Sequence, residues 1–243
     1  MKTQTKLALV FALIPVALSA QTVNVDFSRD ITSPIAGSLV PALFAATGPA
    51  GVAGGTFWND YSVYLPAVGD QGANSITNPT SVNNLTASDG VTVTTIDVTL
   101  TSGWYRSFNG TVTINDLQQE WVFAQLGQLA TVTIGGLNSS LTYDLYLVAG
   151  ATINTDYTIG ATTLNATAVA GNGVDWTNGV QYVLFSGIAP DGGGNIAIGV
   201  RDGLAPITGN GGIAGLQIVP VPEPSTTLLL FGSLVGFAFR RRK

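Results

Sequence analysis

The chain has 243 residues, with nine Lys and Arg against fourteen Asp and Glu, and it contains neither Cys nor His. Without His there is no usual general base, no Ser-His or Cys-His dyad and little scope for a metal-dependent hydrolase site; without Cys there is no disulfide, so an exported domain must rely on its core. Six of the nine cations lie in the two termini, which leaves Gln21 to Pro222 with Arg29, Arg106 and Arg201 against thirteen carboxylates, a balance of −10. That balance repels nucleic acid and anionic lipid, while carboxylate-pair chemistry, divalent cations and neutral glycans stay open.

Lys2 and Lys6 precede an apolar run, Leu7 to Leu18, that ends in the small residues Ser19 and Ala20. This is the layout of a secretory signal peptide with a signal helix too short to span a bilayer. Cutting after Ala20 exposes Gln21, and cutting after Ser19 is the alternative; we take residues 1–20 as the signal. The stretch that follows is long enough for one all-β domain with a real core, residues 21–219.

Val23, Val25 and Phe27 alternate with Asn24 and Asp26, the period of a strand. Pro34 to Gly55 reads as loop with one short strand near Leu39 to Phe44. Tyr61 to Leu65 reads as extended, and Gly69 to Asn84 as a long polar loop. Val91 to Leu100 is dense in Val, Thr and Ile and predicts a strand. Gly103 to Gly110 reads as an aromatic loop around Trp104, Tyr105 and Phe108. Asn115 to Gln128 is the one helix expected in the domain, with Asn115 or Asp116 as cap and Leu117 and Trp121 on its apolar stripe.

From Ala130 the pattern is strand throughout. The segments are Ala130 to Ile134, Leu141 to Ala149, Asp156 to Ile159, Thr162 to Ala168, Val180 to Phe185, Asn195 to Val200 and Ile213 to Val219. Short strands separated by Gly, Asn and Asp turns predict a β-sandwich.

The chain closes on three pieces in order. Val221-Pro222-Glu223-Pro224 cannot be helical, because proline lacks the N–H and restrains the residue before it. Thr226 to Phe239 is uncharged; fourteen helical residues span about 21 Å, short of a hydrocarbon core of about 30 Å. Arg240, Arg241, Arg242 and Lys243 then stop translocation and stay on the cytoplasmic side, and a short anchor is helped by bilayer thinning and snorkelling. This order resembles the PEP-CTERM sorting signal of Gram-negative bacteria. Pro222-Glu223-Pro224 matches its box, Leu228 to Phe239 its membrane segment and Arg240 to Arg242 its basic end. The resemblance implies a single C-terminal transmembrane helix in residues 220–243, recognition and cutting near the box by the membrane protease exosortase, and passage to the cell surface or extracellular matrix.

The ordered segments Val23 to Phe27, Phe57-Trp58-Asn59, Asp89-Gly90, Leu137 to Leu147, Phe185 to Ile196 and Ile213 to Ile218 resemble galactose-binding-like jelly-roll domains. That resemblance implies a two-sheet, all-β, jelly-roll-like sandwich with at most one short helix, a fold often used to recognise carbohydrate.

Three candidate sites follow from the residues. Trp104, Tyr105 and Trp176 lie among Gly and Asn, where an indole either stacks on a sugar or caps the core. Asp191-Gly192-Gly193-Gly194-Asn195 offers oxygens suited to a structural calcium through Asp191 and Asn195, or simply turns the chain. Asp116 and Glu120 would share one face of the expected helix, as a glycosidase pair or as solvated charge near a helix N-terminus. No cofactor is required. The reading is an exported, surface-sorted, non-catalytic protein of the envelope or polysaccharide matrix, with a carbohydrate-binding module and a carboxylate glycoside hydrolase as alternatives.

Overall fold

The computed structural model describes residues 21–27, 57–61, 80–101, 104–108, 116–124, 127–150, 153–167, 176–204 and 209–221. The signal peptide, the segment 39–44 and the anchor fall outside these residues, as does all of the expected 61–65 stretch except Tyr61.

The domain is nearly all β. The early strands are β1 (Val23–Asp26), β2 (Asn59–Asp60), β3 (Thr80–Val82), β4 (Asp97–Leu100) and β5 (Trp104–Phe108). One helical turn, α1 (Asp116–Gln119), leads into β6 (Glu120–Ala124). Then come β7 (Ala130–Gly135), β8 (Thr142–Val148), β9 (Thr155–Ile159) and β10 (Thr162–Ala166). The chain continues through β11 (Tyr182–Ile188), β12 (Ile196–Asp202), β13 (Gly211–Ile213) and β14 (Gly215–Val221). They form a five-stranded sheet in the order β11-β8-β14-β1-β2, a six-stranded sheet in the order β10-β9-β12-β7-β4-β3, and a small sheet β13-β6-β5.

The two large sheets make the sandwich, and their registers show why. Across the five-stranded sheet Val23, Ile218, Leu145 and Phe185 stand in one row, and Val25, Leu216, Leu147 and Val183 in the next. Across the six-stranded sheet Val82, Val98, Ile134 and Ile196 form a row, followed by Leu100, Val132 and Ile198. A strand's side chains alternate between faces, so each run of alternate apolar residues puts its whole row on the inner face. All of these side chains belong to one apolar core, Val82 as a partly buried flank.

Five expectations need correction. The polar stretch Gly69 to Asn84 is not loop to its end: Thr80–Val82 is the strand β3, because Val82 packs on the core and the segment pairs with β4. The expected helix over Asn115 to Gln128 is only α1; Glu120–Ala124 is strand, because Trp121, Val122, Phe123 and Ala124 are buried on both faces and pair with β5 and β13. Gly103 to Gly110 is not a loop: Trp104–Phe108 is the strand β5, whose aromatic residues favour a pleated surface. The strand expected from Val91 begins only at Asp97. Asp89 Oδ1 accepts the amides of Val91 and Thr92, at 2.8 and 2.9 Å, and Thr94 Oγ1 accepts that of Ile96, so side-chain bonds compete with a ladder. The last expected strand is two, β13 and β14, broken at Ala214.

β14 also fixes where the chain leaves. β1 accompanies it only from Gly215 to Ile218, whereas β8 continues to Val221, paired with Thr142. Pro220 therefore sits where β14 has one neighbour, a position that tolerates a missing N–H.

Candidate functional site

The registers define two ends. At one end, β14 finishes at Val221 beside Thr142. The first described residues, Gln21 and Thr22, are here too, because Val23 pairs with Ile218; the amide of Ser88 donates to Thr22 O at 2.7 Å. The turn Asp191–Asn195 lies at the same end, since the amide of Leu137 donates to Gly194 O. At the other end Asp26, Gly215, Val148 and Tyr182 stand in a row. The six steps from Gly215 to Val221 separate the ends by about 20 Å.

The end away from Val221 holds an aromatic cluster on the outer face of the five-stranded sheet. Trp58, Leu117, Trp121, Phe123, Val148 and Ala214 are buried together, with Ile153, Trp176 and Tyr182 packed at the rim. Glycines let the Trp121 ring lie flat: a Cβ at Gly150 would come within 2.6 Å of the indole, and one at Gly212 within 3.0 Å. Tyr182 continues toward Tyr146, their ring centroids 6.0 Å apart. Burial raises the pKa of both phenols, Tyr146 also through the Asp144 charge, so both are neutral hydrogen-bonding groups at neutral pH.

The expected site residues are distributed unevenly over this frame. Trp176 joins the rim of the cluster, partly buried, and the amide of the next residue, Thr177, donates to Gln181 Oε1 at 2.8 Å. Trp104 and Tyr105 lie on β5, their backbone opposite Ala124 and Phe123. The structure thus brings the strand of Trp104 and Tyr105 to the same small sheet as Trp121. It moves Asp116 and Glu120 apart in kind: the first is in α1 and the second opens β6, so they do not share the face of one helix.

Asp191 is at the opposite end. Its Oδ1 accepts the amides of Gly193 and Asn195, at 2.9 and 2.8 Å, and Asn195 Nδ2 at 3.2 Å. These bonds, the Asn195 amide first, hold its pKa below the usual carboxylate range. They are the bonds of a chain-turning Asp, and among the described residues no group of three or more Asp or Glu is placed to share a cation. Asp89 is built the same way and is held down to about 2, the Thr92 amide contributing most and the Val91 amide next.

Three side chains of the outer face were not singled out from the sequence. Asn24 and Gln217 are register partners in β1 and β14, 0% and 2% exposed, and each has a buried side-chain oxygen without a partner. Trp121, assigned in advance to a helix stripe, anchors the cluster. Asn24 had a legible signal, its place in a strand between two valines; nothing in the sequence marked the outer face as covered.

Fold and site together define an acidic β-sandwich that delivers its C-terminal strand straight into a separate terminal signal. Residues 220–243 match the PEP-CTERM protein-sorting motif. No curated protein matches the chain. The match starts inside β14, at Pro220 and Val221, so the sorting signal shares two residues with the folded sheet and no linker intervenes. The motif marks an exported, surface-sorted substrate of exosortase, anchored to a membrane at its C-terminus. Among the described residues no helix is long and apolar enough to cross a membrane.

Proposed function

We propose that this is a non-catalytic protein of a Gram-negative envelope or extracellular polysaccharide matrix, displayed with its aromatic end outward. One observation carries the reading: the sorting signal begins at one end of the sandwich and the aromatic cluster sits at the other. A domain tethered at Val221 holds Trp176 and the small sheet farthest from the membrane. The absence of His and Cys from the whole chain and the split of Asp116 from Glu120 between helix and strand support a role without turnover.

A second reading is favoured by Trp176 alone. A partly buried indole at the rim of an aromatic cluster can offer its exposed edge or face to a sugar ring. The test is to recover the processed surface form and present it to an array of envelope and matrix polysaccharides. We expect a mass that ends near Pro222-Glu223-Pro224 and no hydrolysis of any glycan. Saturable binding that Trp176→Ala abolishes would establish the second reading, and turnover abolished by Asp116→Asn or Glu120→Gln would defeat both.

A further inference from the structure

The end where β14 finishes has a feature that sorting alone does not explain. Residues 85–96 form an irregular hairpin closed by the turn Ala87–Gly90, whose Gly90 amide donates to Ala87 O at 2.9 Å. Past the turn, Val91 and Val93 are 81% and 66% exposed. Val93 is a wall of an open cleft of about 340 Å³ whose other walls include Leu141, Tyr143, Gln21 and Pro220. The other two exposed large apolar residues among the described residues, Leu129 and Leu204, lie far apart in the sequence and need no special account.

The position of this patch is set by the chain that follows it. Pro220 is both a wall of the cleft and the first residue of the sorting signal. Four residues, 222–225, separate Val221 from the start of the uncharged run, and four residues reach at most about 14 Å. The anchor therefore holds this end of the sandwich within that distance of the bilayer surface. The patch is also the right chemistry for such a neighbour. Neither 90–96 nor 136–143 contains a charged residue. Three carboxylates flank these segments: Asp89 is engaged by the amides of Val91 and Thr92 and by Gln21 Nε2 at 3.0 Å, Asp97 Oδ1 accepts the amide of Asn84 at 2.9 Å, and Asp144 Oδ1 accepts the Ser186 hydroxyl at 2.6 Å and the amide of Gly187 at 2.8 Å.

We propose that Val91, Val93 and the adjoining cleft seat on the headgroup layer of the membrane that the sorting signal enters. The sandwich then stands on the bilayer with its aromatic end outward until the signal is cut. Two valines are a weak contact on their own. Tethering makes the contact intramolecular, so it forms while the anchor is present and is lost on cleavage. The acidic balance of the domain selects a zwitterionic surface over an anionic one. This inference rests on the C-terminal signal being membrane-anchored, and its test separates the two.

The chain has no cysteine, so a single introduced one carries an environment-sensitive fluorophore without background. Full-length Val93→Cys, Leu204→Cys and Ser233→Cys proteins are reconstituted in phosphatidylcholine vesicles containing brominated lipid. We expect quenching at 233 and 93 but not at 204, and weaker quenching at 93 when phosphatidylglycerol replaces phosphatidylcholine. Quenching at 233 with none at 93 beyond that at 204 overturns the docking while leaving the anchor intact. No quenching at 233 removes the anchor and the docking with it. Shielding of 93 that appears only when the membrane protease is added, without lipid quenching, assigns the patch to a protein partner and also overturns the proposal.

Discussion

The two large sheets use the same alternation and end in different environments. The six-stranded sheet is apolar inside and solvated outside. Its outer rows run through Ser81, Thr99, Thr133 and Ala197, and through Thr131, Gly199, Thr158 and Thr163. Ser81 and Thr99 share a hydrogen bond of 2.7 Å there, and Thr158 and Thr163 one of 2.9 Å. The five-stranded sheet is buried on both faces along its centre: all four residues of β1 are buried, as are Leu145 to Val148 in β8, while in the edge strand β11 the outward residues Tyr182, Leu184 and Ser186 are partly or fully exposed. Its outer face carries the aromatic cluster at the end away from the anchor. An antiparallel sheet can leave one face to water, and here one sheet does so while the other supports a second layer.

The largest test of this contrast is to remove the second layer. Trp121→Ala, at a ring 4% exposed and backed by Gly150 and Gly212, should cost about 3–5 kcal/mol. A denaturant midpoint measures it, and a loss well under 1 kcal/mol would mean that the layer is peripheral.

Tyr157 links the six-stranded sheet to β13. It is fully buried, and its hydroxyl donates to Gly212 O at 2.6 Å, where Thr155 Oγ1 also donates at 3.2 Å. Tyr157→Phe removes one of those two donors and should cost about 1 kcal/mol. The same variant has a pH signature. Burial pushes the Tyr157 phenol well up and the Tyr61 phenol to about 12. A raised folded-state value means stability that is full below pH 10 and lost as pH rises beyond it. Tyr157→Phe should therefore flatten the alkaline loss without abolishing it, since Tyr61 still contributes. Thermal melts at pH 8 and pH 11 read the difference, and an unchanged slope would show that Tyr157 titrates freely.

The smallest effect is expected on the solvated face. Thr133→Val, in the middle of the outer row of the six-stranded sheet, should change stability by about 0.5 kcal/mol or less. A cost of several kcal/mol would mean that this face is covered in the folded protein and that the contrast between the sheets is false.

Much of the inner architecture was legible because it is periodic. Alternation of Val23, Val25 and Phe27 with Asn24 and Asp26 assigned each to a face before any pairing was known, and the strands expected over Ala130 to Ile134 and Asn195 to Val200 are β7 and β12 to within two residues. The failures share a cause. Glu120–Ala124 is apolar almost throughout, so its period says neither helix nor strand; two partner strands, β5 and β13, decided it. Val91 to Ile96 has strand composition, but Asp89 and Thr94 offer the backbone nearer partners.

By itself, the sequence determined the destination and the fold class. Export, sorting and the acidic, Cys-free character are written in local runs of charge, proline and apolar residues, which act without tertiary contacts. The sandwich follows from alternation, which is local too. Only the tertiary structure decided that Asn24 and Gln217 are buried side by side, that Trp121 and Trp176 share a cluster, and that this cluster and the start of the sorting signal at Pro220 lie at opposite ends. Those facts depend on which strands pair and in what register, and pairing brings together residues far apart in the chain, such as Val23 and Ile218, that no local pattern connects.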